Sequence, residues 1–104
     1  MIFIFTTLHK KSDAVKIGKA LLKQRLIACY NLLSIGSSYW WKGKILDDKE
    51  TLMILKTKEA NFAKIEDDIK KHSGYEVPEI VAIKSTRVSK DYLKWINSET
   101  RKSL

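Results

Sequence analysis

The sequence has 104 residues, of which 44% are hydrophobic, and a formal net charge of +8. This length and composition exclude an intrinsically disordered chain and predict a single domain over residues 1–104. Of the 20 basic residues, 17 are lysines scattered along the chain, whereas a nucleic-acid footprint clusters and favours arginine. The charge therefore favours a lysine-rich solvated surface over a nucleic-acid partner.

Cysteine use and apolar runs bear on the compartment. Cys29 is the only cysteine, so no disulfide can form within the chain, as is typical of a reducing compartment. The first residues, MIFIFTTL, are too short for the apolar part of a signal peptide. No apolar run approaches the ~18 residues of a membrane span. The sequence predicts a cytoplasmic protein with no membrane partner.

The first elements are a strand and an amphipathic helix. The apolar run at residues 2–5 predicts a strand covered on both faces. Apolar residues then recur at helical spacing from Ala14 to Leu22, and lysines lie off that stripe. Ser12 is the candidate N-cap of this helix.

A long hairpin follows. Residues 27–41 are rich in β-formers, with an interruption expected near Gly36, and Lys42-Gly43 predicts a tight turn into a return strand over residues 44–57. At ~3.3 Å per residue the outgoing strand spans ~45 Å, so the tip should project beyond a core of ~13 Å radius. Because side chains alternate along a strand, Trp40 and Trp41 point to opposite faces. The surface that Trp40 meets stays open.

The second half repeats the order helix, strand, with a further helix at the end. The pattern predicts a helix over residues 59–71 and a strand over residues 79–85, which the chain enters through Pro78. Ser89 is the candidate N-cap of a last helix. The order β-α-β-β-α-β is that of a ferredoxin-like α+β sandwich. Two helices cover one face of such a sheet, so the other face needs a partner or must be polar.

Six segments of the sequence together resemble the CutA family, the small proteins named for divalent-cation tolerance. They occur in the family's order and with similar spacing, and they cover nearly the whole chain. The segments are Thr6-Thr7, the run from Arg25 to Asn31, Tyr39-x-Trp41-x-Gly43-Lys44, the run from Glu50 to Thr57, the run from Tyr75 to Ile80, and Tyr92-Leu93-x-Trp95-Ile96.

The resemblance implies a subunit that forms a homotrimer similar to the PII signalling proteins, with the long hairpins clasped between subunits. It also implies a role in the response to metal ions, with copper or other divalent-metal binding, and Cys29 and His72 occupy the matching ligand positions. Two features depart from the family: the segment from His72 to Tyr75 has one extra residue, and family members are commonly acidic.

The residues themselves offer little for metal binding. A thiolate or imidazole site needs three or four converging ligands, and one chain contains only Cys29, His9 and His72. A trimer would present each of them three times. A lone cysteine is often a small buried hydrophobe, and a histidine at a helix C-terminus is often a cap. We expect weak affinity for copper or another divalent cation at most, and no certain cofactor.

A second candidate site is a cleft between subunits, similar to the ligand sites of PII-like signal proteins. Its predicted lining is Tyr39, Trp41, Lys44, Glu50, Tyr75 and Glu79. The alternative function is therefore a small-ligand-binding signalling trimer. A rigid loop with solvated acidic residues around Pro78 is the other interpretation of the same segment.

The residues also bear on two further classes of function, catalysis and nucleic-acid binding. Glu50 and Glu79 could act as paired carboxylates, but the sequence offers no nucleophile or triad partner, so we expect no enzyme. Single-stranded nucleic acid is the remaining alternative, because RRM modules share this strand order and Phe3 and Phe5 share a face. The central strands are mainly aliphatic and lack an RNP-like pattern, which argues against it.

Overall fold

The fold is built on one four-stranded antiparallel sheet with the order β2-β3-β1-β4. The computed structural model describes residues 1–101, so residues 102–104 of the predicted domain lie outside the described residues. The elements are β1 (Ile2–Leu8), α1 (Lys11–Lys23), β2 (Cys29–Trp41), β3 (Lys44–Thr57), a 3-10 turn (Glu59–Asn61), α2 (Phe62–His72), β4 (Val81–Lys84) and α3 (Lys90–Glu99). This confirms the ferredoxin-like α+β prediction, with its long β2–β3 hairpin and extra C-terminal helix.

The core lies between one face of the sheet and the helices α1 and α2. Alternate residues of the two central strands point into it, and Ile4, Leu8 and Leu55 are fully buried. Leu21 of α1 and Ile65 of α2 close the core from the other side. Each such side chain contributes roughly 1.5–3 kcal/mol of hydrophobic stabilisation. Within residues 1–101, no helix is both long and apolar enough to span a membrane.

The helix starts differ in part from the sequence prediction. Helix α1 begins at Lys11 behind an extended Lys10, so Ser12 lies inside the first turn and the prediction that it caps the helix is wrong. The N–H groups of Asp13 and Ala14 bond to the Lys10 carbonyl instead. Ser89 does precede α3, as predicted, but its side chain makes no capping hydrogen bond.

The hairpin is more regular than expected. The register of β2 against β3 runs without a break from Cys29↔Lys56 to Trp41↔Lys44, so the interruption predicted near Gly36 is wrong. Gly36 keeps its place in the ladder opposite Lys49. The predicted turn is confirmed: Lys42 and Gly43 both have positive φ, 48° and 80°, as a two-residue type I′ turn requires. The molecule is accordingly elongated, 45 × 26 × 21 Å.

Strand β4 is shorter than predicted. It was expected over residues 79–85, but only Val81–Lys84 pairs with β1. The segment between α2 and β4 instead turns away from the sheet edge toward β3, because Tyr75 bonds there to Glu50. Helix α2 likewise begins at Phe62 rather than residue 59, since a 3-10 turn occupies residues 59–61.

The second face of the sheet is apolar, and among the described residues helix α3 contacts it only at the end where Lys56 lies over the Tyr92 ring. The rest of this face is called the uncovered face. The strand register places Phe3, Phe5 and Ile54 on this uncovered face, with Val81 and Ile83 of β4 beside them. Val81 is 49% exposed and Ile83 is 51% exposed. The sheet therefore presents an apolar surface of the kind that marks a contact with another molecule.

Candidate functional site

A concavity lies on the uncovered sheet face, between the β2–β3 hairpin and the segment that follows α2. Its volume is about 930 Å³. It is lined by Phe5, Thr7, His9, Ile35, Gly36, Ser37, Ser38, Tyr39, Trp40, Trp41, Leu46, Glu50, Leu52, Gly74, Tyr75, Glu76, Val77 and Glu79. Such a volume is within the range of small-molecule sites.

Three chain segments meet at Tyr75. Its hydroxyl donates a hydrogen bond to the Glu50 carboxylate on β3. The ring of His9, which follows β1, stacks on the Tyr75 ring with centroids 3.9 Å apart and planes inclined by 27°. The Tyr75 N–H also bonds to the Ser73 hydroxyl, 3.2 Å away, which fixes the turn after α2. These contacts hold the inner wall of the concavity together.

Glu50 is a partly buried carboxylate surrounded by hydroxyl groups. Partial burial by itself raises its pKa, but hydrogen bonds from Tyr75, Ser37 and Thr7 outweigh that effect and lower the pKa below the usual value. Glu50 is therefore ionised near neutral pH. Among residues 1–101 it has no cationic partner.

A second tyrosine–carboxylate pair lies next to the first. The Tyr39 hydroxyl donates to the carboxylate of Asp48, two residues before Glu50 on the same face of β3. This hydrogen bond raises the pKa of Tyr39 to about 12. Burial and the bond to Glu50 raise the pKa of Tyr75 even further. Both phenols therefore stay protonated and act as donors.

The rim of the concavity carries an ammonium group from the chain itself. The Nζ atom of Lys42 lies 5.6 Å from the centroid of the Trp41 ring and 3.7 Å from a carboxylate oxygen of Glu76. Both side chains of this ion pair are about 70% exposed, at 71% and 68%. The pair bridges the hairpin tip and the segment after α2.

The structure brings most of the predicted cleft together. Five of its six residues line the concavity: Tyr39, Trp41, Glu50, Tyr75 and Glu79. Lys44 pairs with Trp41 across the hairpin but is not part of the lining. Sequence reasoning missed the stacking role of His9 and the hydroxyl groups of Ser37 and Thr7. Strand alternation could have found Ser37, which shares a face with Tyr39, whereas nothing local indicated His9.

The predicted metal ligands do not converge within one chain. Cys29 opens β2 opposite Lys56, and His72 ends α2 near the other end of the sheet. The Nδ1 atom of His72 lies 2.9 Å from the Asp68 carbonyl oxygen, which is a helix-end contact. No group of three or more His, Cys, Asp or Glu side chains in residues 1–101 could hold a metal ion. The metal site on Cys29 and His72 stays a prediction.

Comparison with known proteins identifies the family. The model of the CutA1 divalent ion tolerance protein matches residues 2–99 of this chain. The chain belongs to the CutA1 family. The divalent-cation tolerance protein CutA of Pyrococcus horikoshii is 46% identical over 102 residues, which cover 98% of this chain and 100% of that protein. The resemblance indicated by the six sequence segments is thus confirmed.

Solved CutA1 structures have the same fold. The crystal structure of CutA1 from Pyrococcus horikoshii matches with a TM-score of 0.93 at 45% identity, over 98% of this chain and 100% of that one. The structure described as the periplasmic divalent cation tolerance protein CutA from Archaeoglobus fulgidus matches at 0.92 and 39% identity, over 95% of this chain and 98% of that one. The chloroplastic Protein CutA 1 of Oryza sativa is 32% identical over 98% of this chain and 58% of that protein.

Proposed function

We propose that this member of the CutA1 family acts in divalent-cation tolerance as a homotrimer. The observation that carries the trimer is the uncovered apolar face of the sheet, on which Val81 and Ile83 are about half exposed, at 49% and 51%. An apolar face of this kind would otherwise promote aggregation, so burying it against other copies stabilises both the subunit and the assembly. Its relatives are named for divalent-cation tolerance.

The sheet edges support a closed ring. Strands β2 and β4 are the two outer strands, and each has one strand neighbour among the described residues. Pairing β2 of one subunit with β4 of the next is a heterologous contact, which uses two different edges and propagates around a rotation axis. Three such contacts close a ring and leave no open edge for aggregation.

Solution mass tests this assembly. Light scattering should give three times the 12.0 kDa chain mass. Ile83→Lys places a charge on the uncovered face and should convert the trimer to smaller species, whereas Ala20→Lys, on the exposed side of α1, should leave the mass unchanged. A stable monomer for the unmodified chain would overturn the proposal.

For the metal itself we propose weak copper or other divalent-cation binding that depends on assembly. One chain does not fit the ion, because Cys29 and His72 lie far apart and no cluster of three ligands exists in residues 1–101. Assembly supports the proposal, since a side chain near a threefold axis is presented three times. Calorimetry with copper and zinc should show heat that disappears in Cys29→Ser. Absence of heat at micromolar metal would contradict it.

The second candidate function is binding of a small ligand, as in PII-like signalling trimers. The concavity of about 930 Å³ favours it, because it lies on the uncovered face beside the hairpin that the trimer is proposed to clasp. Native mass spectrometry of the purified assembly should show added mass from a retained ligand. Tyr75→Phe, which loses the bond to Glu50, should reduce that retention.

We further propose that the protein resides in the cytoplasm and has no enzymatic role. The single cysteine supports a reducing compartment. The relatives named above include one chloroplastic and one periplasmic protein, so cell fractionation is the direct test of location. The hydroxyl groups beside Glu50, from Tyr75, Ser37 and Thr7, hydrogen-bond to its carboxylate, and the sequence offers no triad partner for a nucleophile.

A further inference from the structure

Positive charge is concentrated on one helix of the fold. Helix α1 carries four lysines and one acidic residue: Lys11, Lys16, Lys19, Lys23 and Asp13. Its formal charge is therefore +3, out of +8 for the whole chain. Helix α2, which packs beside α1, carries three lysines and three acidic residues, and these charges cancel. A uniformly lysine-rich composition would not distinguish the two helices in this way.

Three of these lysines form a row along the outer side of α1. At about 3.6 residues per turn, Lys16, Lys19 and Lys23 fall within about 60° of one another around the helix axis. All three are exposed, whereas Ile17 and Leu21 lie on the opposite side of the helix, in the core. At ~1.5 Å per residue the row is roughly 10 Å long. Lysines that are scattered in the sequence thus become a ridge of like charge in the fold.

The row has no counter-charge within residues 1–101. The ion pairs of this part of the chain include Lys70 with Glu66 on α2, at 3.5 Å, but none involves a lysine of α1. Lysines three and four residues apart on a helix repel one another, so Lys16, Lys19 and Lys23 slightly destabilise α1. A polyanion that lies along the row would remove this repulsion.

The row lies on a side of the molecule that the proposed trimer does not use. Helix α1 packs on the core side of the sheet, whereas the trimer is proposed to bury the uncovered face and the two strand edges. The exposure of Lys16, Lys19 and Lys23 therefore does not depend on assembly. An assembled ring presents the row three times.

The residue types on α1 decide which polyanion fits. An exposed ion pair with a protein carboxylate contributes little, whereas binding to a nucleic-acid backbone gains affinity from the release of condensed counterions. Membrane-surface helices insert an apolar face, but the apolar side of α1 is already buried in the core. Helix α1 also has no arginine to contact base edges and no aromatic ring to stack on a single strand. These features favour the phosphates of a duplex, which has the higher charge density.

We propose that the outer side of α1 binds the phosphate backbone of double-stranded nucleic acid, without regard to base sequence. Successive phosphates of one strand lie ~3.4 Å apart along the duplex axis, so a row roughly 10 Å long meets about three of them. Lys16, Lys19 and Lys23 each contact one phosphate. This surface is not the sheet face through which RRM modules bind single strands, and the proposal is independent of the metal and small-ligand functions.

The test is fluorescence anisotropy of a labelled DNA duplex of about 20 base pairs, titrated with the assembled full-length protein between about 25 and 150 mM salt. We expect the logarithm of the association constant to fall linearly with the logarithm of the salt concentration, with a slope of about −3 for about three phosphate contacts. Two duplexes of unrelated sequence should bind equally. A slope near zero, or no binding at the lowest salt concentration, would overturn the proposal.

Paired substitutions separate the row from the net charge of the protein. Lys16→Gln combined with Lys19→Gln should weaken duplex binding about tenfold or more and reduce the salt slope by about two. Lys90→Gln combined with Lys94→Gln removes the same charge from exposed positions of α3 and is the matched control. We expect the control pair to change affinity less than about twofold. Equal losses from the two pairs would show attraction by net charge alone and contradict binding at α1.

Stability of the variants shows that any loss of binding is not a loss of fold. Glutamine has nearly the helix propensity of lysine, and its introduction at Lys16 and Lys19 relieves repulsion along α1. The urea midpoint of this variant should therefore not fall below that of the parent. Unchanged duplex binding by the folded variant would overturn the proposal.

Two other polyanions test the choice of partner. A single strand of the same length should bind no more tightly than the duplex, because α1 has no aromatic ring. Vesicles of phosphatidylcholine and phosphatidylserine should bind less protein than the duplex at equal phosphate concentration, because α1 has no free apolar side to insert. Tighter binding of the single strand, or equal binding of the vesicles, would overturn the proposal.

Discussion

The hydroxyl of Tyr75 donates a hydrogen bond to the carboxylate of Glu50, across 25 residues of sequence. This contact ties the segment after α2 to the middle of β3. It draws the chain away from the sheet edge before β4 begins, and it closes one side of the concavity. One hydrogen bond thus links the length of β4, the position of the loop and the ionisation of Glu50.

Lowering the pH should destabilise the folded protein, in part because Glu50 becomes protonated. Its folded pKa lies below the unfolded value of 4.5, so its contribution to stability is present above pH 4.5 and is lost as pH falls through the folded pKa. Tyr75→Phe removes a bond to a charged group and should cost about 1–2 kcal/mol near neutral pH. That difference should shrink in acid, measured by urea unfolding at fixed protein concentration. Tyr92→Phe is the control, and a pH-independent difference for Tyr75→Phe would contradict the prediction.

Raising the pH should destabilise the folded protein through ionisation of the Tyr39 phenol. Its folded pKa of about 12 exceeds the reference value of 10.0, so its contribution to stability is complete below pH 10.0 and is lost as pH rises through about 12. The phenolate absorbance of the folded protein should show a late-titrating group that Tyr39→Phe removes. Asp48→Asn should shift that group back toward 10.0, because the hydrogen bond from Tyr39 to Asp48 is the main cause of the shift. Loss of an early-titrating phenol in Tyr39→Phe would disprove the assignment.

Substitution by alanine should have opposite effects on stability at two glycines, Gly18 and Gly36. A Cβ atom on Gly18 would lie 2.6 Å from the Tyr30 ring and 2.7 Å from the Met53 methyl group, between α1 and the sheet. Overpacking of this kind costs about 1–3 kcal/mol, against about 1 kcal/mol regained in helix propensity. Gly18→Ala should therefore lower the urea midpoint. Gly36→Ala meets nothing within 4 Å and should be neutral or stabilising. A Gly18→Ala variant as stable as the parent would refute this packing argument.

Arg25 has a strained backbone conformation and a side chain that forms an ion pair. It has a φ of 60°, and its guanidinium group pairs with Glu99 at 2.7 Å, which holds the end of α3 against the α1–β2 connection. Arg25→Ala keeps the strain and loses the ion pair, so we expect a cost of about 0.5–1 kcal/mol. Arg25→Gly loses the same pair but relieves about 1 kcal/mol of left-handed strain, so it should be the more stable of the two. Glu99→Gln removes the ion pair without changing Arg25, so it measures the contribution of the pair alone. If Arg25→Ala were more stable than Arg25→Gly, the backbone strain would not be significant.

Trp40 should matter to assembly rather than to folding of the subunit. It is 72% exposed and pairs across the hairpin with Ile45, which is 62% exposed, beyond the reach of the helices. Trp40→Ser should leave the circular dichroism spectrum unchanged and shift dissociation of the assembly to higher protein concentration. Lys49→Ser, exposed on the same face of the hairpin, is the matched control. Identical dissociation of both variants would mean that this tip meets no other subunit.

The features that sequence reasoning predicted well depend on local chemistry. The tight turn at Lys42-Gly43, the alternation of Trp40 and Trp41 and the order of strands and helices all follow from residues close in sequence. Five of the six residues predicted for the cleft line one concavity because the family motifs lie on both of its walls, while the cleft between subunits stays a prediction. The break near Gly36 was predicted from glycine's weak strand preference, but the ladder continues, since cross-strand hydrogen bonds outweigh a single weak residue.

The sequence by itself determined the fold class and the long hairpin, because hydrophobic periodicity and turn residues encode them locally. The family was indicated by the resemblance of six segments in order. Only the tertiary structure decided that His9 stacks on Tyr75, that Lys42 lies between Trp41 and Glu76, and that Lys44 stays outside the concavity. These contacts join segments far apart in the chain. Their geometry depends on strand register and on the path of the loop after α2, and no local pattern specifies either.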